Sequence, residues 1–254
     1  MPKWNIEYYK SLEDKLASIN SGLEKRIDDV VNGRVAPSIN DIAIGSGRKF
    51  DGAVLFFDIR GFTKRTSSSD INKLKETLIM LDCVIPLVMQ IIYDFGGYVE
   101  KNTGDGVMGI IGLEDDKENA TKNALMASLV IFSCLENIVN PYLINNNIEK
   151  VDARIGIDYG DVLIARIGLP NGTSQYDRNF LTAVGPTANI ASKIQHQAET
   201  NKIYVGNNIY NNAPEDWKRF FKDKTLEDWE WIYQYTGEKY KVYNFAAVYN
   251  KPTT

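Results

Sequence analysis

The stretch Val54-Leu55-Phe56-Phe57-Asp58-Ile59-Arg60-Gly61-Phe62-Thr63 runs through four apolar residues and stops at an acid. Such a run reads as a buried strand whose last side chain is a carboxylate. A second acid, Asp105, follows in Tyr98-Val99-Glu100-Lys101-Asn102-Thr103-Gly104-Asp105-Gly106-Val107-Met108. There, two short apolar strands flank a turn over Asn102 to Gly106, whose glycines permit positive φ. If the two strands are neighbours in one sheet, both carboxylates reach the same edge. Hard carboxylates without sulfur or imidazole nearby suit Mg²⁺ or Mn²⁺ and not zinc. Two such ions ~3.5–4 Å apart are a general device for displacement at phosphorus.

Outward from this pair the chain alternates strands and helices. Leu12, Leu16, Ile19, Leu23, Ile27 and Val30 recur at spacings of four and three, the pattern of an amphipathic helix. Its near-heptad register fits either pairing of two copies or a helix lying on its own domain. Residues 33–47, with Pro37 and three glycines, read as a connector, which places an N-terminal helix and connector over 1–48 and the main domain over 49–254. The first strand is expected over 52–58. A helix capped by Ser69 or Asp70 then carries Leu74, Leu78, Leu81, Ile85, Val88, Ile92 and Phe95, with a kink expected at Pro86. The hairpin around Asp105 follows, then a helix over 117–140 stopped by Pro141. A second hairpin is expected over 151–158 and 161–168, turning at Tyr159-Gly160. The order strand, helix, strand, strand, helix, strand is the ferredoxin-like or palm βαββαβ layout, an α+β class with helices on one face. A polar loop over 169–180, a helix over 186–199, a strand over 202–205 and a closing hairpin within 229–248 complete it.

The 254 residues are 44% hydrophobic, enough for a substantial core. A net charge of −4 gives no global attraction to nucleic acid or anionic lipid, so an anionic substrate must be held locally. Cys83 and Cys134 make no metal spacing, no signal-peptide pattern is present, and a reducing cytoplasm is expected. The longest apolar stretch, around 84–92, is broken by Pro86 and Gln90, short of the ~20 residues of a membrane span.

Four spaced motifs, F-F-D-I-R-G-F-T at Asp58, K-N-T-G-D-G at Asp105, R-I-G-I-D-Y-G-D-V from Arg154 and V-G-P-T-A-N-I-A-S-K ending at Lys193, together resemble the class III nucleotidyl cyclase domain. The resemblance covers roughly residues 49–248. It implies that Asp58 and Asp105, with the Ile59 carbonyl, hold two divalent cations (Mn²⁺ or Mg²⁺). It further implies that the amides around Gly61, Phe62 and Thr63 cradle the β- and γ-phosphates, and that Asn189 fixes the ribose. The position four residues after Asn189 is usually arginine in the family, but here it is Lys193, which keeps the charge without the planar two-pronged donor set. Family geometry places the metal acids on one copy and Asn189 with Lys193 on the other, implying a head-to-tail homodimer with sites at the subunit interface.

For the base, the family positions are Lys101, four before Asp105, and Thr182, three before Gly185. This pairing is of the adenylate type. Phe57, immediately before the first metal acid, is small in many purine cyclases. An aromatic there narrows the pocket toward a one-ring base, and the layout is similar to the pyrimidine cyclases of bacterial anti-phage (Pycsar) systems. CTP or UTP is therefore expected ahead of ATP, with no nucleic acid and no membrane span. In such a defence setting the product would signal to a separate effector. The rival from another class is a degenerate domain that binds nucleotide without turnover, favoured by Lys193 alone. His196 reads as an exposed cation near a helix C-terminus, and Lys239 and Lys241 as a solvated strand face.

Overall fold

The computed structural model describes residues 4–21, 47–102, 104–113, 115–168 and 179–247. Helix α1 (Ile6–Ser21) is followed by strand β1 (Gly47–Ile59), the one-turn α2 (Phe62–Arg65) and the long α3 (Ile71–Asp94). Strands β2 (Gly97–Asn102) and β3 (Gly106–Ile111) form the expected hairpin, and α4 (Lys117–Cys134) follows. Then come α5 (Asn140–Asn145), β4 (Ala153–Gly168), β5 (Asn179–Val184), α6 (Pro186–Gln197), β6 (Ile203–Gly206) and α7 (Asn207–Asn212). Strands β7 (Phe221–Asp223) and β8 (Val242–Phe245) close the sheet.

The strand order is β2-β3-β1-β4-β6-β8-β7, with β5 paired to β4. Its first four strands are the antiparallel βαββαβ core read from the sequence. Alternation along β1 decides what each face receives. Leu55, Phe57 and Ile59 enter the main core with Val84 and Val88 of α3 and Leu125 and Val130 of α4. Val54 and Phe56 face the other way, onto a smaller cluster with Met108, Ile110, Val162 and Ile164, covered by Ala188 and Ala191 of α6. Helices therefore cover both faces, not one.

Three local expectations are corrected. No turn forms at Tyr159-Gly160: β4 is one strand that pairs with β1 from Gly47↔Ala165 to Ile59↔Ala153. Gly160 (φ 155°) stands opposite Gly52, and an added Cβ would come 2.9 Å from Thr187 Oγ1. The glycine thus bends a continuous strand under α6 and does not reverse the chain. Pro141 does not stop its helix either, because a π-helical turn over Leu135–Val139 precedes it and leaves the proline in the first turn of α5. A proline there needs no intrahelical acceptor. The closing hairpin is corrected in its pairing: β8 lies within 229–248 but pairs with β7 outside it, while inside that span Trp231 to Tyr240 form only a short turn bridged at Ile232 and Lys239.

The long α3 starts where expected, with Asp70 accepting from Asn72 N at 2.9 Å, and runs on through Pro86. By length and composition, α3 and the run Lys117–Asn145 are apolar enough to cross a membrane, which counting unbroken apolar runs missed. Both bury part of that surface in the main core, while Ile71, Leu74, Tyr93 and Ile144 stay exposed. The described part of α1 lies on its own domain. Tyr9 and Leu12 are buried in the main core, and the Tyr8 hydroxyl donates to Asp94 Oδ2 at 2.9 Å. The repeat positions Leu23, Ile27 and Val30 lie outside the described residues, as does the connector over 33–46.

Candidate active site

Strand pairing brings the two organising acids together. Asp58 pairs with Gly106, and the Ile59 N–H donates to the Asp105 carbonyl at 2.9 Å, so both acids sit at the end of the β1–β3 ladder. Burial pushes the Asp105 carboxyl above its ordinary value, and the neighbouring Asp58 charge adds to this. Its own backbone N–H and the Arg154 cation pull the other way.

Arg154 is the residue the sequence reading passed over. It stands directly across the ladder from Asp58 and on the same face. Its Nε donates to Asp58 Oδ2 at 2.9 Å, and its Nη1 to the His196 carbonyl at 2.7 Å. The two side chains are only 13% and 25% exposed, so this is a partly desolvated ion pair. Only the cross-strand register distinguishes Arg154 from any other strand arginine.

The arrangement fits a divalent cation. Two carboxylates and the Ile59 carbonyl are hard oxygen donors with no competing thiolate or imidazole. Asp58 is already paired with one positive charge, the Arg154 guanidinium, which a bound cation would have to share or replace. Among the described residues no group of three or more His, Cys, Asp or Glu side chains converges on a metal position, so a cation held here would need ligands beyond the two carboxylates.

Beyond Ile59 the chain turns through Gly61 (φ 71°) into α2. The amides of this first turn have no intrahelical acceptors, as at any helix start. An added Cβ on Gly61 would meet nothing within 4 Å, so the turn is open to an incoming group. Phe62 is half-buried against the main core and anchors the turn, and Thr63 is exposed. Arg60, Gly61, Lys64 and Arg65 line a cleft of about 590 Å³ beside it.

Helix α6 carries Asn189 and Lys193 on its exposed side, one turn apart, while Ala188, Ala191, Ile194 and Gln195 are buried. Gly156 allows α6 to sit directly on β4, since an added Cβ would come within 2.3 Å of the Gln195 nitrogen. Among the described residues neither Asn189 nor Lys193 bonds to Asp58 or Asp105. The exposed His196 contacts the Ser192 carbonyl through Nδ1 at 2.9 Å. Lys239 Nζ lies against the Leu226 and Glu227 carbonyls, and Lys241 Nζ is 3.7 Å from Asp223.

The base positions fare unequally. Thr182 is half-buried on β5 opposite Ala165, and the backbone of Lys101 pairs with Met108 on β2. The Lys101 side chain and Thr103 lie outside the described residues. The expectation for Phe57 is corrected. It is 1% exposed inside the main core, on the face opposite Asp58. Side chains alternate along a strand, so the residue next to a site-facing aspartate must point into the protein. Phe57 is a core residue and not a gate beside the nucleotide.

Residues 47–225 match the Adenylate and Guanylate cyclase catalytic domain. The chain is 30% identical over 159 residues to a "Cytidylate cyclase" of Staphylococcus aureus, covering 61% of this chain and 36% of that protein. It therefore spans about a third of that relative's length. It is also 27% identical over 243 residues to a "Uridylate cyclase" of Gulbenkiania mobilis, covering 89% of this chain and 91% of that protein. The crystal structure of the guanylyl cyclase Cya2 superposes with a TM-score of 0.64 at 18% identity, over 80% of this chain and 95% of that one. The ordered βαββαβ sheet, the paired acids at the end of its β1–β3 ladder and the match over residues 47–225 agree: the chain belongs to the adenylate and guanylate cyclase catalytic domain family.

Proposed function

We propose that this protein cyclises a pyrimidine ribonucleoside triphosphate, CTP or UTP, to its 3′,5′-cyclic monophosphate and pyrophosphate. The observation that carries the reading is the cluster of Asp58, Asp105 and Arg154 at the end of the β1–β3 ladder. The ribose 3′-hydroxyl gives its proton to water and its oxygen forms a bond to the α-phosphorus. The bond from that phosphorus to the β-bridging oxygen breaks, and pyrophosphate leaves with the electron pair. Divalent cations held by Asp58, Asp105 and the Ile59 carbonyl would acidify the 3′-hydroxyl and neutralise the leaving group.

The remaining work falls to the chain's own groups. The turn at Gly61, Phe62 and Thr63 offers amides to the β- and γ-phosphates. Arg154 pairs with Asp58, and with a cation bound at Asp58 its guanidinium would be free to meet the same anion. Asn189 orients the ribose and Lys193 meets charge on the transferring phosphate. Both are exposed and unconnected to the acids within one copy, which supports their acting from the second copy of a homodimer. Lys101 and Thr182 meet the base.

The cytidylate and uridylate cyclases among the relatives support a pyrimidine. With Phe57 in the core, no steric gate favours the smaller base, and the Lys101–Thr182 pairing keeps ATP as the second reading. A role as an alarm signal in anti-phage defence, acting on a separate effector in the cytoplasm, follows only from the likeness to defence cyclases. Incubation with Mn²⁺ and each of the four ribonucleoside triphosphates separately is the test. Cyclic CMP or cyclic UMP is expected. Cyclic AMP alone would remove the pyrimidine assignment, and no cyclic product from any would leave a nucleotide-binding module.

A further inference from the structure

Strands β2 and β5 are not neighbours in the sheet. β3, β1 and β4 lie between them, which in a flat sheet would hold them roughly 20 Å apart. They nonetheless touch: the Ala183 N–H of β5 donates to Glu100 Oε1 of β2 at 3.0 Å. The contact is possible because β1 extends beyond β3, which pairs only from Ala53 onward. That overhang, with the far half of β4 and with β5, curls over the sheet, and Gly52 stands opposite Gly160 at its base.

Glu100 is specifically presented for this contact. The β2–β3 register slips between Val99 and Lys101, so Glu100 is the extra residue of a bulge. Bulges re-aim a side chain that the regular pleat would point elsewhere. Glu100 is only 9% exposed, and a buried carboxylate is retained only where hydrogen bonds satisfy it. The amide it accepts from belongs to the residue after Thr182, and Glu100 itself precedes Lys101. One bond therefore ties together the backbones that carry the two base positions.

We propose that Glu100 is the positioning residue of the base pocket, holding the Ala183 amide and so setting where Thr182 stands relative to Lys101. This rests on the reading that Lys101 and Thr182 meet the base. It predicts that the length and acceptor oxygen of this side chain, not its charge alone, govern discrimination between bases.

The test measures affinity of the full chain for CTP, UTP, ATP and GTP by equilibrium dialysis, with Ca²⁺ in place of Mn²⁺ so that turnover is silent. Glu100→Gln retains an acceptor at the same reach and should keep the ratio between the best and next-best base within about twofold. Glu100→Asp, one methylene short, and Glu100→Ala should each lower that ratio roughly tenfold, on the scale by which a lost positioning contact changes discrimination. A merely structural role would weaken all four nucleotides equally and leave the ratio unchanged. That result, or equal affinities in the unmodified protein, would overturn the proposal. If Glu100→Ala fails to fold, Glu100→Asp decides. Turnover of the unmodified protein in Mn²⁺, read separately, reports on the cyclase reading itself.

Discussion

Asp58 and Asp158 sit on the same face of two paired strands and have been given opposite environments. Asp58 lies next to the end of β1, keeps 25% of its side chain exposed and meets the Arg154 guanidinium at 2.9 Å. Asp158 lies opposite Val54 in the middle of β4, 1% exposed, and accepts a 2.6 Å hydrogen bond from the Tyr240 hydroxyl. The same hydroxyl accepts from Asn208 N at 3.0 Å, closing a sealed polar cluster. Burial pushes the Asp158 carboxyl up to about 7, against the opposing pull of the Tyr240 bond. Asp58 is paired with a cation at the open end of the ladder, whereas Asp158 is held by a phenol inside a sealed cluster. Position in a strand does not make a carboxylate functional. What differs is the group set over it, a partly exposed ion pair in one case and a packed side chain in the other.

The sharpest way to break this contrast is Asp58→Ala. Turnover with Mn²⁺ should fall by at least ~1000-fold, as expected when a ligand of the reacting phosphate's counter-charge is lost, while circular dichroism and oligomeric state stay unchanged. Retained activity would remove Asp58 from the site. Next in size, Phe57→Ala tests the residue beside it on the opposite face. Emptying a core site of this volume should cost about 3–5 kcal/mol by denaturant unfolding, with the order of base preference unaltered. A switch toward purines without loss of stability would contradict the core assignment.

Arg154→Ala probes the cation paired with Asp58. It should reduce turnover on the order of 100-fold. In the absence of nucleotide it should tighten Mn²⁺ binding, since the guanidinium no longer competes for Asp58, and titration calorimetry separates the two effects. Smallest is Asp158→Asn, which keeps an acceptor for Tyr240 and removes the titration. A folded-state value above the ordinary one means the folded protein holds a proton that the unfolded chain releases between about pH 4 and 7. Stability should therefore fall as pH rises through that window and level off above it. Asp158→Asn should flatten the profile and gain on the order of 2 kcal/mol at pH 8, with no difference near pH 4. A parallel pH profile in both proteins would show that Asp158 is already ionised when folded.

The parts legible in the sequence are those encoded by local period and local chemistry. The four-three spacing from Leu74 to Phe95 predicted α3, and the acid at position 70 predicted its cap. The glycines around Asp105 predicted the hairpin that sets it beside Asp58. What could not be read locally came out otherwise. Tyr159-Gly160 has the composition of a turn, but β1 offers a partner on both sides of it, so the ladder continues. Pro141 looks like a helix stop, but the π turn before it frees the proline from needing an acceptor. Phe57 looked like a pocket residue because it adjoins Asp58 in the chain, whereas the pleat sends neighbours to opposite faces.

The βαββαβ core and the meeting of the two acids were thus legible in the sequence alone, because each depends on residues a few positions apart. Arg154 against Asp58, Glu100 against Ala183 and Tyr240 over Asp158 were decided only by the tertiary structure. These pairs stand 96, 83 and 82 residues apart in the chain, and no short-range periodicity carries information over that distance. Strand register and the curl of the β4–β5 arm bring them within hydrogen-bonding reach, and those follow from how the whole sheet packs.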